Sequence, residues 1–557
     1  MLSIIASIMK HTPFLLCLIL LCACSSDSDR LSTSDEALGT IHFPVSGNFD
    51  AQEHMERGVK LLHHMTYVEA DKAFSAAIEA DPDCVMAYWG KAMTIVHPLW
   101  PDIPNEARLK AGWELVEEGL IRNAKAGTAR EGAYLETISA YFENGWEREE
   151  KDRLIDVDRA WNELRAAFPE DLEAATFFAL FHLAPARFLP LDKSYRIQTT
   201  SGLIVEDVLR QVPDHPGALH YRIHAYDFPA LAGRALDMCG LYGEVAPDNA
   251  HALHMPTHIY TRAGLWERSI DLNIRSAEAA QKQDIEAGGI GNDYLHALDY
   301  TVYAYLQRGQ YEEARSIRDQ ILSHPGPYAA KNMKAGAYAF SAIPVRCALE
   351  SQRWEEAALI EPGQPKWFAW DERYVSDQSL VYFARAIGSV RSGNLNAGKK
   401  AIELHKELAD QISVKAPATY WDSRARAHQL ASRAWLAFAE GRTDEALTLM
   451  RNSAEVEAAT EKEGITPGDV LPTGELLGDM LMEMGRYEEA LAAYQAVLES
   501  SPNRFYSLYG TGRAAEQKGD AKQAERYYRL LLNLAKDADA REIRLEHARA
   551  FILGRES

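Results

Sequence analysis

The sequence predicts an all-α chain built as a helix–turn–helix solenoid, and three observations carry that prediction. Matched residues recur 34 positions apart, as Pro213 and Pro247, Leu219 and Leu253, His220 and His254, His224 and His258, and Tyr226 and Tyr260. Thirty-four residues is the length of one two-helix repeat. Small and aromatic residues recur in step, with Gly478, Ala490 and Tyr494 answered by Gly512, Ala524 and Tyr528. Small residues let paired helices approach closely, and the aromatic fills the gap between them. Finally, the strict apolar–polar alternation of strands is absent. A solenoid also accommodates 557 residues without one large core, since each repeat buries its face on its neighbours.

Residues 1–24 read as a processing segment rather than as fold. Lys10 is their only Lys or Arg, and Phe14–Leu21 is an apolar run too short to span a bilayer as a helix. Met9 is an alternative start to Met1, because Met9-Lys10-His11 gives a basic opening. The run ends in Leu21-Cys22-Ala23-Cys24, which resembles the bacterial lipoprotein signal. That resemblance implies lipidation at Cys24 and a place in the bacterial cell envelope, at the outer membrane, in the periplasm or on the cell surface. A Ser/Asp-rich stretch over residues 25–42 follows as a flexible tether. An acylated cysteine anchors a domain without any membrane-spanning helix. The remaining cysteines, Cys84, Cys239 and Cys347, are odd in number and widely spaced. They indicate neither a disulfide framework nor a thiolate zinc site.

The repeats divide into an N-terminal array over residues 43–350 and a C-terminal one over residues 351–557. The first unit reads Gly58, Leu61, Ala70, Phe74, Ala77 and Pro82, and the last clear pair Gly478, Gly485-Arg486-Tyr487, Ala490, Tyr494 and Pro502. Between them, turns are signalled at Gly264-Leu265-Trp266, Gly309-Gln310-Tyr311, Gln352-Arg353-Trp354, Gly393-Asn394-Leu395 and Gly441-Arg442-Thr443. Trp100–Leu154 fits the period poorly and reads as an insertion or a divergent pair. Gly288–Asp293 and Gly363–Asp377 read as loops, the second carrying Trp367, Trp370 and Tyr374 packed against the solenoid.

These glycine, alanine and aromatic positions resemble the tetratricopeptide repeat (TPR) family. Glu461-Lys462, Thr466-Pro467-Gly468 and Ser501–Phe505 extend the likeness to a group of bacterial TPR lipoproteins. The resemblance implies fold and location, and names no reaction. It further implies that the first helix of each pair lines a concave groove.

Seven of the 18 histidines lie between His215 and His296. Register places Leu219, Ile223, Tyr226, Leu253 and Tyr260 in packing positions. It leaves His220, His224 and Asp227, then His251, His254, His258 and Arg262, on the groove face. Counting back from Gly309 adds His296, Asp299 and Tyr303. Six imidazoles and two carboxylates in one patch have the composition of a divalent transition-metal site, zinc being one candidate beside iron, nickel and copper. Histidines at i,i+4 share a helical face and can reach one ion. Neither His220–His224 nor His254–His258 is a HExxH motif, because both lack its glutamate, and Pro256 threatens the second pair's spacing. The alternative is a set of hydrogen-bonding groove residues that, with Arg222 and Arg262, meet a peptide or an anionic ligand. His63-His64, near the first turn, reads as solvated, and His182 as a satisfied core histidine.

Two functions therefore stand side by side. One is a lipid-tethered scaffold taking a peptide or partner protein in its groove. The other is a metal-binding protein or metal-dependent hydrolase, for which Asp227 or Asp299 could supply a base. A net charge of −22 argues against nucleic acid as a partner, since a phosphate backbone calls for a basic stripe. Phosphate-loop, nucleophile-elbow and EF-hand signatures are absent from the sequence.

Overall fold

The computed structural model describes residues 37–100, 102–189, 192–286, 290–326 and 334–556. Cys24, the leader and most of the tether lie outside them. From Phe49–His63 to Ile543–Glu556 the described residues form 26 α-helices joined by short turns, with four 3-10 segments and no strand ladder. Successive helices pack in antiparallel pairs, and the apolar core runs along the array in overlapping stretches. No described helix is long and apolar enough to cross a membrane. The end of the stretch read as tether already lies against the body, where Thr40 donates to Asp214 at 2.6 Å and Phe43 is fully buried.

The turn signals work through backbone conformation. Gly264, Gly309, Gly393 and Gly441 all lie in the left-handed region, with φ between +65° and +86°. Glycine enters that region without steric cost and ends a helix there. Gln352 holds the same conformation, at φ +56°. The small–aromatic pairs work through close approach. Tyr494 is wedged between two helices, so a Cβ on Gly478 or Gly510 would stand 2.6 Å from its ring. Phe74 is held likewise between Gly58 and Gly90, at 2.4 Å from each built Cβ. Gly478→Ala should therefore cost about 1–3 kcal/mol through overpacking, measured as a lower urea midpoint. Gly474→Ala, one turn earlier and against a single Val497 methyl, should cost less.

The poorly fitting region is a divergent pair. Glu106–Ala126 and Ala129–Phe142 pack together through Gly112, whose Cβ would meet the Phe142 ring at 2.2 Å. The loop aromatics pack inward: Trp367 Nε1 donates to the His324 carbonyl at 2.5 Å, and Phe368 and Tyr374 are buried.

The array then folds back on itself. Trp266 Nε1 donates to the Asn503 carbonyl at 2.8 Å, and Asp539 N donates to the Gly309 carbonyl at 3.1 Å. Arg504 sits between these layers, fully buried, bonding both carboxylate oxygens of Glu475 at 2.9 Å and those of Glu350 at 2.8 and 2.9 Å.

Candidate metal centre

Four helices bring the six histidines together, in two groups of three. Pro216–Tyr226 supplies His220 and His224, and Asn292–Leu306 supplies His296. Between them, Ala250–His254 and Pro256–Arg262 supply His251, His254 and His258. His220, His224 and His251 form one triad, and His254, His258 and His296 the other. Within each triad the offered ligand atoms lie within 4.8 Å of one another. The triads are neighbours by construction, because His251 and His254 stand three residues apart on one helical face.

Pro256 does not spoil the second pair. Met255 keeps helical angles (φ −55°, ψ −41°), so the register passes through the break, and His254 Nε2 lies 3.0 Å from His258 Nε2. In the first triad, His220 Nε2 lies 3.1 Å from both His224 Nε2 and His251 Nε2.

The opposite ring nitrogens fix where the protons are. His220 Nδ1 faces the His63 carbonyl at 2.7 Å, which can only accept, so that nitrogen carries the hydrogen. His254 Nδ1 donates to Asn273 Oδ1 at 2.7 Å, and the amide's orientation is set by Asn273 Nδ2 donating to the Ser269 carbonyl at 2.8 Å. His258 Nδ1 donates to Asp227 Oδ2 at 2.9 Å. Burial, the largest cause in each case, pushes all six imidazoles below the usual histidine value, His224 and His254 to about 3. They are therefore neutral near pH 7, with one proton each. For His254 and His258 that proton is on Nδ1, and two bare lone pairs confront each other at Nε2. In the first triad the one lone pair of His220 Nε2 is faced by two imidazoles and can accept from one. His296 Nδ1 is buried without a hydrogen-bond partner.

Converging lone pairs are what a cation resolves. Three nitrogens bound to one zinc ion at about 2.0–2.1 Å stand about 3.3 Å apart in tetrahedral geometry, close to the 3.0–3.1 Å of the pairs His254–His258, His220–His224 and His220–His251. Ligating histidines characteristically donate their other N–H to a carbonyl, amide or carboxylate, as His220, His254 and His258 do. His224, His251 and His296 are only half-buried, so each triad includes at least one imidazole in contact with solvent.

A third group, His63, Glu173 and His215, is also within ligand distance, yet it needs no ion. His215 Nδ1 accepts from Ala218 N–H, so its Nε2 donates to Glu173 Oε1 at 3.0 Å, and His63 Nε2 meets Oε2 at 2.7 Å. Burial pushes the Glu173 carboxyl up, but the two imidazoles outweigh it and hold the group well below the carboxylate range. The expectation that His63 and His64 are solvated is thereby corrected. Both are fully buried, His64 with Nδ1 2.9 Å from the Tyr242 hydroxyl, because the chain turns there beneath the Pro216–Tyr226 helix. His182 is satisfied by Asp158 at 3.0 Å but is half-buried rather than in the core.

The other candidates separate. Asp299 is outside the triads, fully buried and paired to Arg346 Nε at 3.0 Å. Tyr303 accepts from Arg504 at 2.9 Å. Arg222 turns to Asp237 at 2.9 Å. Asp227 adjoins the site, shared by His258, by Arg262 Nε at 2.9 Å and by Lys462 Nζ at 3.3 Å. Asn273, Tyr300 and Lys462 complete the surroundings, and sequence reasoning missed them. Asn273 lies on the second helix of a pair, and Lys462 arrives from the far array.

No curated protein matches the chain. Similar solved structures include the APC/C Cut9–Hcn1 hetero-tetramer, 12% identical over 89% of this chain and 76% of that one, with a TM-score of 0.30. Human IFIT1 dimers with m7Gppp-AAAA and with PPP-AAAA are each 12% identical over 88% of this chain, covering 91% and 96% of theirs, with TM-scores of 0.34. The tetratricopeptide repeat family model matches residues 476–541, the stretch that holds the Gly478–Tyr494–Gly510 wedge. Those helix pairs match the tetratricopeptide repeat model, and the described residues as a whole form a helix–turn–helix solenoid that carries two histidine triads.

Proposed function

We propose that this solenoid is a metal-binding protein whose two histidine triads each hold a divalent transition-metal ion of the zinc class. A TPR-type array is by its architecture a scaffold for protein partners, since it presents extended concave surfaces. The metal reading rests on one observation, the 3.0 Å approach of His254 Nε2 to His258 Nε2 when both carry their hydrogen on Nδ1. A peptide-binding role for the same histidines finds less support, because Arg222 and Arg262 are already engaged by Asp237 and Asp227. The Cys24 signal supports tethering of the loaded array to the cell envelope by lipid, with partners recruited along its surface.

Metal analysis by mass spectrometry of the chain from Ala37 onward, prepared without a polyhistidine tag, tests this. About two ions per chain are expected after exposure to zinc. His220→Ala and His254→Ala should each lose one ion, and the double variant both. Loading should also raise the melting temperature, as for any ligand bound by the native state alone. A chain that retains no ion after exposure to zinc, iron and nickel would sink the reading.

A further inference from the structure

We propose that the loaded triads, with Lys462, form a binding site for an oxyanion of the phosphate type. The proposal rests on the metal reading and adds the class of ligand that the metals and their surroundings recruit.

The segment that brings Lys462 belongs to the C-terminal array, yet it lies on the histidines. Tyr300, whose ring lies against His254 and His258, sets its hydroxyl 3.0 Å from the Gly464 carbonyl and 3.1 Å from the Thr466 carbonyl, which share its one hydrogen. A Cβ on Gly464 would stand 3.8 Å from His258 Cε1. Tyr195 donates to Glu461 at 3.1 Å, and Lys462 Nζ reaches Asp227 Oδ2 at 3.3 Å. The chain thus spans 235 residues to place one lysine beside the second triad.

Charge then decides what the site lacks. All six ligands are neutral imidazoles, so two divalent ions arrive with their full charge. Lys462 and Arg262 add two more cations whose side chains are each 8% exposed. Against them stands Asp227, which His258, Arg262 and Lys462 already share, with Glu461 at 3.8 Å from Arg262. Half-enclosed positive charge of that size is costly unless an anion balances it. Three histidines leave a fourth position open on each ion, and the half-buried His224, His251 and His296 keep each triad in contact with solvent. Lys462 spends one donor on Asp227 and its ammonium makes no other hydrogen bond among the described residues, so two donors remain to meet ligand oxygens. A compact, multiply charged acceptor of several hydrogen bonds satisfies the ions and the ammonium together, as phosphate does. Among the described residues the side chain of the neighbouring Glu463 makes no hydrogen bond or ion pair, and it sits in the field of Arg187, Lys462 and Lys334. Beside Lys462 it adds to the negative charge of Asp227 and Glu461 that an incoming anion meets.

Calorimetric titration of inorganic phosphate into the full chain tests the proposal, with the metal content of every sample measured first. Zinc-loaded protein should bind phosphate and metal-free protein should not. Lys462→Met should keep its zinc and weaken phosphate binding about tenfold or more, the loss of one charge-assisted contact. Glu463→Gln should keep its zinc and strengthen binding, a gain that mere disturbance of the fold would not produce. Acetate should bind more weakly than phosphate. A fully loaded chain with no phosphate binding, or with equal affinity for acetate, overturns the oxyanion site and leaves the metal reading intact. A chain that takes up no zinc overturns both, and the metal analysis alone reveals which has failed.

Discussion

Replacing Arg504 with methionine should cost about 3–5 kcal/mol of stability, the usual penalty for removing one partner from a buried ion pair. Glu350 and Glu475 would be left facing each other, 3% and 0% exposed, with only Gln307 and Ser507 as remaining side-chain donors. Burial already pushes the Glu350 carboxyl above its ordinary value. Without the guanidinium both groups lose their counter-charge. Urea unfolding should show a lower midpoint, and adding Glu350→Gln and Glu475→Gln should recover part of the loss. A single variant within about 0.5 kcal/mol of the parent would show that the arginine is not the element joining these layers.

The second large effect concerns the metal. Asn273→Ala removes the acceptor that holds the His254 hydrogen on Nδ1, and it leaves a buried N–H unpaired. Loss of such an orienting partner typically lowers metal affinity about 10–100-fold. The loss should be confined to one of the two ions, because the first triad is oriented by the His63 carbonyl instead. Competition with a chromophoric chelator, read as two steps, resolves this. One step should shift by one to two decades while the other stays. A uniform shift of both steps would mean that Asn273 acts through general stability rather than through His254.

Much of the fold was legible because its signals are local. A glycine that must adopt positive φ, or that must let Tyr494 lie against the backbone, states its role within one turn of helix. The i,i+4 histidine pairs were legible for the same reason, and the six imidazoles do meet. Their division into two triads was not visible. Counting back from Gly309 set Asp299 on the face of the histidines, but Arg346, on Lys334–Glu350, draws Asp299 into its own ion pair. His296 instead lies against His254, its ring tilted by 53°, with ring centroids 4.4 Å apart. Asn273 and Lys462 carry no spacing signal, since an amide or ammonium group acquires its role only from what the fold sets beside it. The burial of His63 and His64 escaped for the same reason, because Glu173 and Tyr221 are brought to His63 from 110 and 158 residues away.

The return of the C-terminal helices onto the middle of the array bears on how such a chain can change length. An open solenoid has free ends, and a duplicated or deleted repeat merely lengthens or shortens it. Here Asn503 must arrive at Gly264 and Asp539 at Gly309, with an intervening path of fixed pitch and rotation. One additional pair inserted between residues 312 and 461 would carry both contacts past their partners and lift Lys462 from Asp227. Extra repeats are therefore tolerable beyond the last helix, whereas the count between the closing contacts is set by geometry, as the number of staves is set in a barrel.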